Sequence, residues 1–202
     1  MSKLKRTIEE EILSLVRERG LVRPRDLTRI GLARAPLTGM VRRGELVRHG
    51  RGLYALPDAE ISEHHSLAEA AVRVPSGVVC LLSALRFHDL GTQSPHQVWL
   101  AIHPKARLPQ VDQPPIHIVR FSGPALMLGI EEHVVDGIPV RVFSAAKTVV
   151  DCFRYRNKLG LDIALEALRD YIRREEGLDE LWKLAQACRM ARVMQPYIEA
   201  SL

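Results

Sequence analysis

Residues 35–56 read APLTGMVRRGELVRHGRGLYAL, and this stretch decides the fold of the N-terminal part of the chain. Pro36 suits the first turn of a helix, where its missing N–H is not needed, and Gly44 suits the position just after a helix end. Two short strands, 46–47 and 53–56, follow and are joined by a Gly-Arg-Gly turn. A short basic helix followed directly by a basic hairpin is typical of a winged helix-turn-helix, which binds DNA.

Two further helices upstream complete this predicted module. Thr7 and Glu10 form a capping box for a first helix that ends at Gly20. Pro24 opens a second short helix that ends at Gly31. We therefore predict a DNA-binding domain at residues 1–58 and a second domain at residues 59–202.

One face of the third helix supplies the predicted base contacts. Leu37 and Met40 point to the core, while Thr38 and Arg42 share the opposite face, four residues apart. We expect this face to read the major groove and the neighbouring arginines to contact backbone phosphates. Each arginine on its own is equally compatible with a solvated surface. The predicted DNA-binding residues are Arg25, Arg34, Thr38, Arg42, Arg43, Arg48 and Arg51.

The distribution of charge favours the same end of the chain. The first 60 residues contain 13 lysines and arginines against 8 acidic residues, whereas residues 61–202 contain 16 of each. The whole net charge of +5 therefore lies in the first 60 residues, which contain the predicted DNA-binding domain. A basic face without a partner would show the same asymmetry, so charge alone leaves both interpretations open.

The second domain mixes strands and helices. Predicted strands at residues 97–102, 116–121 and 140–143 are separated by loops rich in proline and glycine. Asp136-Gly137 is a strong signal for a two-residue hairpin turn. We predict a helix at residues 78–90, three helices after Ser144, and a last short helix opened by Pro196. The fold class is thus α+β: an N-terminal winged helix-turn-helix, then a mixed sheet-plus-helices domain with a helical tail.

Composition limits the remaining possibilities. No apolar run approaches the roughly 18 residues of a membrane span, and the N-terminus does not read as a signal peptide, so we expect a cytoplasmic protein. Cys80, Cys152 and Cys188 are far apart in apolar helical contexts, which predicts buried free thiols rather than disulfides or zinc ligands. His64-His65 lacks a third ligand at a useful spacing, and we predict no metal site.

Three motifs, spread over nearly the whole chain, resemble the AbiEi-type antitoxins of type IV toxin–antitoxin and phage abortive infection systems. They are RGEL with GRGLYALP at residues 43–57, LSALRFHDL at residues 82–90, and GIPVRVFSAAKTVVD at residues 137–151. The resemblance implies a transcriptional repressor that binds inverted repeats in its own promoter, and a nucleotidyltransferase-like toxin as partner. A plain winged-helix transcriptional regulator without a toxin is the alternative. The family often has an acidic residue where this chain has Ala145-Ala146, which puts any role of that carboxylate in doubt.

A polar cluster in the third motif is the candidate functional site of the second domain. It consists of Arg141, Ser144, Lys147, Thr148, Asp151 and Arg154. Lys147 and Asp151 are four residues apart on one helix, and phosphoryl transfer uses a lysine and an aspartate. Some antitoxins of this kind have been proposed to phosphorylate their toxin, which would require ATP and Mg²⁺. The alternative is a helix cap with an ion pair that holds the helical tail on the sheet. In that case we expect no cofactor, since no glycine-rich phosphate loop is present.

Overall fold

A computed structural model of the chain describes residues 7–49, 52–58, 62–174 and 177–201. The chain divides into two compact units, Met1–Glu69 together with Val134–Pro139, and Ala70–His133 together with Val140–Leu202. The elements of the N-terminal module are α1 (Ile8–Arg19), α2 (Pro24–Arg29), α3 (Pro36–Arg42), β1 (Val47–His49) and β2 (Leu53–Ala55).

The helices of this module begin and end where the local signals predict. The Thr7 hydroxyl accepts from the Glu10 N–H at 3.2 Å, and the Glu10 carboxylate accepts from the Thr7 N–H at 2.8 Å, so the capping box is confirmed. Gly20 ends α1 with a φ of 73°, in the left-handed region that glycine tolerates. Proline occupies the first turn of both α2 and α3.

A small core unites the three helices with the hairpin. Strands β1 and β2 pair antiparallel with Val47 opposite Ala55, and Val22 adds a bridge to Tyr54 through two backbone hydrogen bonds of 2.9 Å. The buried apolar residues of this core are Ile12, Leu15, Val16, Val22, Leu27, Leu37, Met40, Leu46 and Tyr54. Because Leu37 and Met40 point inward, α3 has only its opposite face left for solvent.

The first unit extends past the predicted boundary at residue 58. The Asp136 carboxylate accepts a hydrogen bond from the Ser62 N–H at 3.3 Å and lies 2.8 Å from Nδ1 of His65. A Cβ on Gly137 would lie only 1.5 Å from the Arg19 carbonyl oxygen, so this hairpin tip packs directly against backbone. These contacts explain why residues 134–139 group with the first unit.

The remaining part of the chain is built on a five-stranded mixed sheet of order β5-β4-β3-β7-β6. Strands β4 and β5 pair parallel, β3 and β7 pair parallel, and β3 and β4 pair antiparallel. The elements are α4 (His65–Arg73), β3 (Val78–Val79), α5 (Leu81–Phe87), β4 (Val98–Ile102), β5 (Ile116–Arg120), α6 (Pro124–Met127), β6 (Ile130–Val135), β7 (Ile138–Phe143), α7 (Ala145–Arg154), α8 (Arg156–Leu159), α9 (Leu161–Arg173), α10 (Leu178–Ala187) and α11 (Ala191–Glu199).

Helix α7 is the central helix of this unit. It packs against α5, α9 and α10, and every residue from Ala146 to Phe153 is buried. The hairpin between β6 and β7 turns at Asp136 and Gly137, which both have positive φ, as that sequence predicts. The α+β class, with a winged helix-turn-helix followed by a mixed sheet and a helical tail, is therefore confirmed.

Two predicted element boundaries were wrong. Residues 78–90 do not form one helix, because Val78 and Val79 form a buried central strand and the helix begins only at Leu81. A strand covered on both faces is apolar throughout, so its sequence resembles a buried helix. Pro196 does not open the last helix but lies inside α11, whose residues Met194 and Tyr197 pack on the core.

Candidate DNA interface and buried polar cluster

The exposed face of α3 carries the predicted base-contacting residues. Thr38 and Arg42 are both exposed, whereas Leu37 and Met40 on the opposite face are 2% and 0% exposed. Neither exposed side chain forms a hydrogen bond or an ion pair with the part of the chain that the structure describes. Both groups are therefore available to an external ligand.

Arg43 differs from Arg42 because two carboxylates already surround its guanidinium. Its Nε–H donates to Oε1 of Glu45 at 2.7 Å, and its Nη2–H donates to Oε1 of Glu9 at 2.8 Å. The hydrogen bonds to Glu45 and then to Glu9 raise the pKa of Arg43, and the bond from Arg43 lowers the pKa of Glu45. All three groups are solvent-exposed, so the network orients Arg43 more than it stabilises the fold.

The other predicted phosphate contacts come from three different parts of the module. Arg25 lies on α2, Arg34 on the connection between α2 and α3, and Arg48 on strand β1, and all three are exposed. Arg51, predicted at the tip of the wing, lies outside the described residues. The described arginines thus lie on a helix, a loop and a strand of the same module as α3.

A structural ion pair that the sequence analysis missed fixes the start of α2. Nε–H and Nη2–H of Arg23 donate to the Asp26 carboxylate at 2.7 and 3.0 Å, and the Arg23 backbone N–H donates to the same group at 3.1 Å. Burial opposes ionisation of Asp26, but these bonds outweigh it and lower the pKa of Asp26. The sequence does indicate this contact, because Asp26 lies three positions after Arg23, the residue that precedes the helix.

The predicted polar cluster of the second unit is built around a buried ion pair. Nζ of Lys147 donates to Oδ2 of Asp151 at 2.5 Å, and both side chains are 0% exposed. The ammonium group lies 4.2 Å from the centre of the Phe143 ring and 5.2 Å from that of Phe121. Burial raises the pKa of Asp151 to about 6, although the charge and hydrogen bond of Lys147 act in the opposite direction.

The neighbours of this pair hold the start of α7. Ser144 caps the helix, with its Oγ accepting from the Lys147 N–H at 3.3 Å, and Oγ1 of Thr148 donates to the Phe143 carbonyl at 3.3 Å. Oδ1 of Asp151 has no hydrogen-bond partner among the described residues. Arg141 is half-buried and Arg154 is exposed at the end of α7. The structure thus places Lys147 and Asp151 together but away from solvent, where neither can reach a nucleotide in this conformation.

The described residues contain neither a metal-binding cluster nor a disulfide. Cys80, Cys152 and Cys188 are free and buried, as predicted. No group of three or more metal-ligating side chains occurs in residues 7–49, 52–58, 62–174 and 177–201. None of the helices in these ranges is both long and apolar enough to cross a membrane.

Comparison with known proteins relates the N-terminal module to transcriptional regulators. Residues 10–57 match a family model described as "Transcriptional regulator, AbiEi antitoxin", which confirms the predicted resemblance to AbiEi-type antitoxins and supports a role as a transcriptional regulator. The fold resembles the crystal structure of the RV2827C protein from Mycobacterium tuberculosis, with a TM-score of 0.57 and 18% sequence identity over 99% of this chain and 79% of that chain. No curated protein matches the chain.

Proposed function

We propose that this regulator is the antitoxin of a type IV toxin–antitoxin system, that it represses its own operon by binding inverted repeats in double-stranded promoter DNA, and that it counteracts a nucleotidyltransferase-like toxin. One observation carries the DNA-binding part of the proposal. The residues that match the regulator family, 10–57, are the same residues that expose Thr38 and Arg42 on α3 beside a hairpin wing.

Different residues contact the bases and the phosphates of the DNA. Thr38 and Arg42 enter the major groove, where an arginine can donate two hydrogen bonds to a guanine edge. Arg25, Arg34 and Arg48, with Arg51 of the wing, bind the flanking phosphates. Arg43 adds a contact only through donors that Glu9 and Glu45 do not occupy. Repression follows because a protein seated on the promoter excludes polymerase.

Binding of labelled promoter DNA by the purified full-length chain tests this assignment. Replacing both Arg42 and Arg48 by alanine should weaken binding at least tenfold. It should also lower the salt dependence, by about 0.9 in the log–log slope for each phosphate that is no longer neutralised. Arg192→Ala is the matched control, because Arg192 is an exposed arginine outside residues 10–57. Unchanged promoter affinity in the double variant would refute the assigned interface.

The toxin-directed part of the proposal is neutralisation by direct contact rather than by modification. Burial of Lys147 and Asp151 supports this choice, since a phosphoryl-transfer pair must touch its nucleotide. The toxin encoded beside this gene should co-purify with the tagged full-length chain. Its intact mass should not change when both proteins are incubated with ATP and Mg²⁺. A gain of phosphate mass on the toxin would instead favour the kinase hypothesis.

A further inference from the structure

An open cavity of about 520 Å³ lies in the second unit. Its wall combines the loop after β5, the end of α7 and the turn between α10 and α11. Two arginines, Arg154 and Arg189, line it together with the Ser122 hydroxyl, and no lining residue is acidic. Its volume is in the range of small-molecule sites, which is about 300–1,000 Å³.

Arg189 occupies a backbone position that normally favours glycine. It follows α10 with a φ of 59°, in the left-handed region, and the turn is closed by the Met190 N–H, which donates to the Ala185 carbonyl at 2.7 Å. Glycine is the common residue after a helix end in this conformation because it has no Cβ. Arginine is therefore strained at this position, where glycine would not be.

Neither Arg154 nor Arg189 forms a hydrogen bond or an ion pair with any residue in the described ranges. Asp151 attracts Arg154, but its carboxylate bonds to Lys147 and is not part of the cavity wall. Burial raises the pKa of Cys188, so the thiol in the wall stays neutral. Two arginines therefore line this space, and no acidic residue lines it with them.

The rest of the wall is apolar. Ala125 and Met190 are 3% and 7% exposed, and Met190 is also the N-cap residue of α11, where it supplies no side-chain acceptor. Planar guanidinium groups bind phosphate oxygens through paired hydrogen bonds, and an apolar surface beside them suits a ring or carbon skeleton. We propose that this cavity binds a phosphorylated small molecule of about nucleotide size, with its phosphate on Arg154, Arg189 and Ser122.

The substitution Arg189→Gly should weaken ligand binding without lowering the stability of the protein. Arg189→Gly removes the guanidinium but relieves the left-handed strain. Calorimetric titration of the full-length protein with ADP, pyrophosphate and inorganic phosphate should show saturable binding of at least one of them. Arg189→Gly and Arg154→Gln should each weaken that binding on the order of tenfold or more. The thermal midpoint of Arg189→Gly should equal or exceed that of the unmodified protein.

A matched variant separates a specific site from general charge. Arg192→Gln removes an exposed positive charge three residues from Arg189 but outside the cavity wall, and it should leave the affinity unchanged. The proposal is overturned if the unmodified protein binds none of the three probes, or if Arg192→Gln weakens binding as much as Arg189→Gly. It is also overturned if Arg189→Gly lowers the affinity for promoter DNA while leaving that for the probes intact.

Discussion

Replacing Lys147 by methionine should destabilise the second unit strongly at pH 8 and much less at pH 5. Methionine fills nearly the same volume, so the main change is removal of the positive charge that bonds to Asp151 at 2.5 Å. Both side chains are fully buried, and removing one partner of a buried ion pair costs about 3–5 kcal/mol. We expect a destabilisation of that size at pH 8, where the Asp151 carboxylate of the unmodified protein is ionised.

The pH dependence follows from the raised pKa of Asp151. In the folded protein burial raises this pKa from 3.8 to about 6, so folding binds a proton and stability falls as pH rises between these values. Two pKa units correspond to roughly 3 kcal/mol. Without Lys147 the folded pKa must lie above 6, which extends the decline in stability to higher pH. At pH 5 the carboxyl is protonated in both folded proteins, so their difference in free energy of unfolding shrinks.

Urea unfolding followed by tryptophan fluorescence measures this difference. Trp99 and Trp182 both belong to the second unit, so the signal reports unfolding of the unit that contains the pair. Lys183→Met is the control, because Lys183 is exposed on α10, and it should change stability by no more than about 0.5 kcal/mol. A destabilisation by Lys147→Met below about 1 kcal/mol at pH 8, or an equal one at both pH values, would refute a charged, buried pair.

Two further predictions concern close packing and DNA binding. Gly129 has a φ of 64°, and a Cβ there would lie 2.6 Å from that of Lys147, so Gly129→Ala should cost about 2–5 kcal/mol in urea unfolding. Gly177→Ala should be neutral or slightly stabilising in the same assay, because φ there is −56° and a Cβ would meet nothing within 4 Å. In promoter binding, Arg43→Ala should lower affinity less than Arg42→Ala, since two carboxylates already neutralise Arg43. Equal effects of the two substitutions would show that Arg43 leaves its carboxylates when DNA binds.

The N-terminal module was predictable because its signals are local. A capping box, a proline in the first helical turn and a glycine after the helix end each act within four residues of sequence. The alternation between buried Leu37 and Met40 and exposed Thr38 and Arg42 also follows from helical periodicity alone. Sequence therefore identified both the helix and its exposed face.

Features that depend on distant residues were not predictable in the same way. The strand Val78–Val79 exists because β4 and β7 lie on either side of it, and no local pattern indicates those neighbours. The pairing of Arg43 with Glu9 joins residues 34 positions apart. Arg154 and Arg189 line the same cavity because α7 packs against α10, and this packing joins distant parts of the sequence.

The spacing of Lys147 and Asp151 correctly indicated contact, but it could not indicate the environment of the contact. An i, i+4 pair on an exposed helix contributes a few tenths of a kcal/mol and leaves both groups accessible. Here α5, α9 and α10 cover α7, so the same pair is desolvated and one carboxylate oxygen has no described partner. Because both groups are buried, the candidate catalytic pair is part of the core. Its positive and negative charges must therefore compensate each other. Accessible chemistry in this unit must instead use groups at its surface, and Arg154, which is exposed at the end of the same helix, is such a group.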